Sequence, residues 1–160
     1  MTMEALSLMR ALLQQVPERL EALPENRVCA RPAPEKWSPK QELGHLLDSA
    51  ANNHQRIVRA QLEENPAMPG YAQELWVNLH DYANRDWSEL IDLWRSLNRQ
   101  LLSAAEAVPD PAWPRTCTVA GSEPLTLKFV FEDYVEHMMH HLRHIGIDVD
   151  DLKETTSAAD

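Results

Sequence analysis

The chain has 160 residues, 44% of them hydrophobic, enough for one domain with a closed core and too little for a second. A formal net charge of -10 and a pI near 5.1 exclude work that depends on neutralising phosphates or docking on anionic lipid, because both need a basic surface. No apolar run reaches the roughly 20 residues that cross a bilayer, and the N-terminal stretch interleaves charges with leucines; the expectation is a cytoplasmic protein with no nucleic-acid and no membrane partner.

The first predicted element is an amphipathic helix, with Leu6, Met9, Leu13, Val16, Leu20 and Leu23 at alternating steps of three and four, ended by Pro24. Asn26 to Glu35 holds Pro32 and Pro34 and no periodicity, so it reads as an extended connection. Ser38-Pro39-Lys40-Gln41 is a capping box with proline at the first helical position. It starts a second, long helix through Leu43, Leu46, Leu47, Ala50, Ile57, Val58 and Leu62, which Asn65 and Pro66 stop. Residues 66–85 are mixed, with Pro69-Gly70 and the aromatics Tyr71, Trp76 and Tyr82, and predict a long loop carrying a short helical turn.

Asp86-Trp87-Ser88-Glu89 is a second capping box, followed by a third helical stripe through Leu90, Trp94, Leu97, Leu101, Ala105 and Val108 up to Pro109. Between Pro109 and Pro124, turn residues flank a β-prone piece that suggests a small hairpin. Leu127, Phe131, Tyr134, Met138, Leu142 and Ile145 form the fourth stripe, and Gly146 is placed to end it as a left-handed cap. The acidic stretch 148–160 has too little apolar content to offset ordering entropy and is expected to stay mobile, leaving residues 1–147 as a single domain. The prediction is an all-α, four-helix bundle with a long loop between helices 2 and 3. Cys29 and Cys117 form no CxxC pair and read as free thiols.

Four of the seven histidines fall on the fourth helix, at His137, His140, His141 and His144. Imidazoles four residues apart project from one helix face and can reach a single ion, a spacing also met by His140/His144. On the wheel, His137 and His141 flank the apolar stripe, with His144 slightly beyond and His140 pointing away. A third ligand must come from another helix, and the second helix offers His45 and His54, nine residues apart and so on opposite faces. His54 lies mid-stripe among Leu43, Leu47, Ala50 and Ile57, so periodicity by itself selects His54. Asn52, Asn53, His54 and Arg56 on the second helix and Asn98 on the third read as helix surface. Trp76, Trp87, Trp94, Trp113 and Tyr134 read as core.

Trp37-Ser38, Gly44-His45-Leu46-Leu47-Asp48-Ser49 and His137-Met138-Met139-His140-His141-Leu142-Arg143-His144-Ile145 resemble the DinB/YfiT-like superfamily, over nearly the whole chain to about Ile147. The resemblance implies a four-helix bundle whose divalent metal ion, zinc or nickel, is held by His45, His137 and His141, overriding the wheel's choice of His54. It further implies a bacillithiol transferase-like branch, in which some members place the sulfur of a low-molecular-weight thiol at the metal. Three protein ligands leave coordination positions open, the arrangement of catalytic rather than structural sites.

The resulting expectation is a metal-dependent enzyme, a thiol S-transferase or a hydrolase, acting on a small-molecule substrate. Two readings of other classes compete. One is a non-catalytic, stress-associated metal-binding protein, with His54 or Asp48 closing a four-ligand shell; Asp48 is alternatively a partner that orients a ligand histidine. The other is a homodimer, or dimerisation module, that packs a partner through Met138, Met139 and the tryptophans.

Overall fold

The structure, a computed structural model, describes residues 2–157. Four long helices form the bundle: α1 (Thr2–Glu21), α3 (Pro39–Leu62), α5 (Trp87–Glu106) and α6 (Leu127–Ile145). Short helices α2 (Glu25–Val28), α4 (Gln73–Leu79) and α7 (Asp150–Ser157) and single 3-10 turns at Tyr82–Asn84 and Asp110–Ala112 decorate the connections. Strands β1 (Ala67–Met68), β2 (Thr116–Val119) and β3 (Leu125–Thr126) make a small sheet, with β1 parallel and β3 antiparallel to β2. The expected hairpin is therefore present, and a piece of the long loop extends it by one strand.

Of the two expected capping boxes, the structure makes one in full. The Ser38 hydroxyl accepts from the Gln41 backbone N–H while the Gln41 side chain accepts from the Ser38 N–H, so both halves of the box are made. At α5 only half is made: Asp86 accepts from the Glu89 N–H, but the Glu89 carboxylate pairs with Arg85 at 2.7 Å instead of reaching back. Gly146 ends α6 at φ 95°, the left-handed cap expected of it.

α3 packs against both α5 and α6, and α1 packs against α5, α6 and α7. Trp87 on α5 donates its indole N–H to the Leu20 carbonyl of α1, and Trp94, Phe131 and Tyr134 fill the interior. Three expectations need correction. Asn26–Glu35 is not wholly extended, because Glu25–Val28 makes a helical turn whose Glu25 carboxylate holds the buried Lys40 ammonium at 2.7 Å. Residues 148–157 are not a loose tail: α7 lies on α1, with Val149 and Leu152 buried and Arg19 hydrogen-bonded to the Asp151 carboxylate. That short apolar pair, invisible to a composition argument, supplies the packing the acidic residues lack. Asn53 and Asn98 are not helix surface either. Asn98 is fully buried, donating to the Trp94 carbonyl and accepting from the Tyr134 hydroxyl.

The first half of α3 is enclosed on every side: each residue from Ser38 to Ala50 is buried. Gly44 makes this enclosure possible, because a Cβ there would stand 2.1 Å from the Tyr82 ring. The ring packs against the helix at Gly44 and its hydroxyl donates to Asp48 at 2.7 Å. Gly44→Ala is accordingly expected to cost roughly 1–3 kcal/mol through overpacking, several degrees in Tm for a domain of this size. Thermal unfolding followed by circular dichroism checks this, and an unchanged Tm would show that Tyr82 can move aside freely.

Candidate metal centre

α3 and α6 run together where His45 faces His137 and His141. The Nε2 atoms of His45 and His137 are 3.2 Å apart, and the His141 ring centroid lies 4.5 Å from that of His45 and 4.4 Å from that of His137. One nitrogen from each of the three falls within 4.8 Å of the others. His45 is wholly buried and its Nδ1 has no hydrogen-bond partner. The Trp37 ring covers the cluster, 5.0 Å from His45 and 6.4 Å from His141.

The structure brings together the three histidines of the family resemblance and leaves out the one chosen by the wheel. His54 is half-buried and, among the described residues, joins neither the triad nor the neighbouring group of Glu42, His141 and His144. The wheel fails because it assumes a solvent side, and the segment that carries His45 has none. His140 and His144 meet edge to face, ring centroids 4.2 Å apart, on the exposed side of α6. Asp48 neither ligates nor orients His45: one oxygen takes the Tyr82 hydroxyl and, at 3.2 Å, His80 Nδ1. Burial raises the Asp48 carboxyl above its ordinary range, against the lowering effect of the Tyr82 hydrogen bond.

Glu42 was not singled out by the sequence and is the carboxylate that does touch the cluster. Its Oε2 lies 2.6 Å from His141 Nδ1 and its Oε1 3.5 Å from His144 Nδ1. An ionised carboxylate only accepts, so the proton sits on His141 Nδ1 and the Nε2 lone pair is left for the cluster. The signal was present, since Glu42 precedes His45 by three residues and shares its helix face. His137 is steadied from the other side, its Nδ1 3.5 Å from the Ser49 hydroxyl.

Beyond His137 opens a cavity of about 280 Å³, lined among others by Ser49, Asn53, Arg56, Tyr71 and Asp133. Burial raises the Tyr71 hydroxyl above its ordinary pKa, partly offset by its hydrogen bond with Ser49, so it stays a neutral donor at the cavity wall.

Burial, reinforced by the neighbouring imidazoles, holds His45 down at about 3 and His137 at about 4. Both are neutral near pH 7, the form in which a ring nitrogen offers a lone pair. Three imidazoles from two helices, meeting inside a bundle, are a ligand set of the kind helical bundles build from facing side chains. The chain belongs to the DinB superfamily, whose model matches residues 6–145. It is 27% identical over 139 residues to a Bacillus subtilis protein named "Putative metal-dependent hydrolase YfiT", covering 84% of this chain and 78% of that one. It is 29% identical over 109 residues to an Oceanobacillus iheyensis protein named "Putative metal-dependent hydrolase OB0782", covering 68% of this chain and 63% of that one. Among solved structures, YfiT from Bacillus subtilis, described as "a probable metal-dependent hydrolase with an unusual four-helix bundle topology", superposes with a TM-score of 0.76 at 24% identity, over 94% of this chain and 86% of that one. The mycothiol-dependent maleylpyruvate isomerase superposes with a TM-score of 0.77 at 15% identity, over 98% of this chain and 67% of that one. No described helix is long and apolar enough to cross a membrane.

The depressed histidines fix the sign of a pH effect. Below the ordinary value of 6.5 the unfolded chain takes up protons that folded His45 and His137 refuse. Stability of chelator-treated protein therefore falls as pH drops from about 6.5 toward 4. In urea unfolding between pH 7.5 and 5, the midpoint is expected to decline, with a shallower decline in His45→Leu; equal slopes in the two proteins would contradict the burial of a neutral imidazole.

Proposed function

We propose that the protein is a metal-dependent enzyme that holds one divalent ion, zinc or nickel, through His45, His137 and His141, and activates a small nucleophile, water or a low-molecular-weight thiol, against a small-molecule substrate. The observation that carries this reading is the convergence of the three imidazoles. Two nitrogens each 2.0–2.1 Å from a tetrahedral zinc ion lie about 3.3 Å apart, and the Nε2 atoms of His45 and His137 stand at 3.2 Å. The donor set fits: all three rings are aromatic nitrogen donors, two are kept neutral by burial, and the third has its proton held on the far nitrogen by Glu42.

A divalent ion bound there would supply Lewis acidity and favour the deprotonated form of the attacking group. The chain's own residues do the rest. Glu42 fixes the tautomer and tilt of His141, Trp37 shields the cluster from bulk water, and the cavity beyond His137 receives the substrate. Neither candidate for a fourth ligand joins the triad: Asp48 turns one oxygen to Tyr82 and His80, and both it and His54 stand outside the cluster. This favours an open catalytic site over a closed structural one. The relatives named as metal-dependent hydrolases support hydrolysis, and the likeness in fold to a mycothiol-dependent isomerase supports a thiol as the alternative nucleophile. A dimerisation role through Met138 and Met139 is disfavoured, because both side chains are completely buried in the core of the chain itself.

Elemental mass spectrometry on untagged protein tests the ligand set. About one equivalent of metal is expected in the wild type and in His54→Ala, and little in His45→Ala or His141→Ala. Retention of metal without His45, or loss without His54, would overturn it. Competition with a chromophoric chelator tests Glu42: Glu42→Gln is expected to weaken metal binding roughly 10–100-fold, and unchanged affinity would assign Glu42 to folding alone.

A further inference from the structure

Four polar side chains follow one another along a single stripe of α3, at steps of four, four and three: His45, Ser49, Asn53 and Arg56. They are linked in series. The Ser49 hydroxyl is 3.5 Å from His137 Nδ1, the Asn53 amide donates to the Ser49 hydroxyl at 3.3 Å and to its carbonyl at 3.0 Å, and the Arg56 guanidinium donates to Asn53 Oδ1 at 3.2 Å. Because Asn53 spends its N–H groups on Ser49, its oxygen is turned toward Arg56 and holds the guanidinium at the cavity beside the triad.

Arg56 is half-buried, and among the described residues no ion pair is made with it. The other half-buried arginines, Arg19, Arg85 and Arg95, each pair with a carboxylate, so in a chain of net charge -10 a half-buried guanidinium left without one is out of character. Five N–H donors in a rigid fork suit a planar carboxylate, and the single contact to Asn53 leaves most of them for a ligand.

We propose that Arg56 is the anion anchor of the substrate pocket, so that the molecule reacting at the histidine triad is a small organic acid carrying a single carboxylate at the end remote from its reactive group. This deepens the proposed function and rests on it for the position of the reacting end. The seven residue steps from Ser49 to Arg56 span about 10 Å along the helix, and an arginine side chain leans back toward the N-terminus of its helix, so the two ends of the ligand are several bonds apart. Asp133, on α6, lines the same cavity and opposes a second negative charge, which selects a monoanion over a phosphate or a dicarboxylate.

The test is calorimetric titration of zinc-loaded and of chelator-treated protein with ω-mercaptocarboxylic acids of three to six carbons and with the ω-mercaptoalcohols of the same lengths. In the wild type, the acid of best length is expected to bind about tenfold more tightly than its alcohol, the scale of a charge-assisted hydrogen-bonded pair. In Arg56→Gln this ratio falls to about one with metal content and Tm unchanged, and Arg56→Lys recovers part of it. A wild-type ratio of one at every length, or a preference that survives in Arg56→Gln, overturns the anchor. The two proposals fail separately: an Arg56-dependent preference in protein that takes up no zinc leaves the anchor standing and removes the metal, and zinc uptake without the preference does the reverse.

Discussion

The enclosure of the first half of α3 governs the rest of the molecule. A helix buried all round has no outward face on which to put polar side chains, so each one it carries must find a partner inside. Ser38 and Gln41 cap one another, Lys40 takes Glu25, Asp48 takes Tyr82 and His80, and Glu42 takes His141. Two buried atoms of this segment, His45 Nδ1 and Asp48 Oδ2, stay without a partner, each costing about 1–3 kcal/mol in a folded protein. Such a cost is tolerated where a group serves a site rather than the fold, and the other nitrogen of His45 points at the triad.

The same enclosure explains what could be read from the sequence and what could not. The helices, their caps and the hairpin were legible because they depend on local patterns: stripes at steps of three and four, Ser38 before Pro39, and Gly146 after Ile145. The choice between His45 and His54 was not, since a helical wheel sorts residues into inside and outside and the decisive segment has only an inside. The structure brings His45, which the family resemblance implies, beside His137 and His141 in a segment that periodicity does not resolve, where Gly44 leaves room for the Tyr82 ring.

Partners across long sequence separations were the least legible. Glu42 and His141 stand 99 positions apart, and the pairing of Asp48 with Tyr82 depends on a connection whose sequence announces only a loop. Asn53 and Asn98, polar residues on amphipathic helices, read as surface, and both are instead buried, Asn53 bonded to Ser49 and Arg56 of its own helix and Asn98 to Tyr134 of α6. The acidic C-terminal stretch was misjudged for a related reason: two apolar residues, Val149 and Leu152, suffice to dock it once α1 presents a surface and Arg19 a charge.

The histidines that stay outside the triad have a practical bearing. His140 and His144 stand one turn apart on the exposed flank of α6, the i,i+4 spacing with which a surface helix chelates immobilised nickel or copper. The native chain thus carries its own affinity handle for chelating resins. Because His144 Nδ1 also lies 3.5 Å from the Glu42 carboxylate that holds His141, an ion captured there would share that carboxylate with the interior triad.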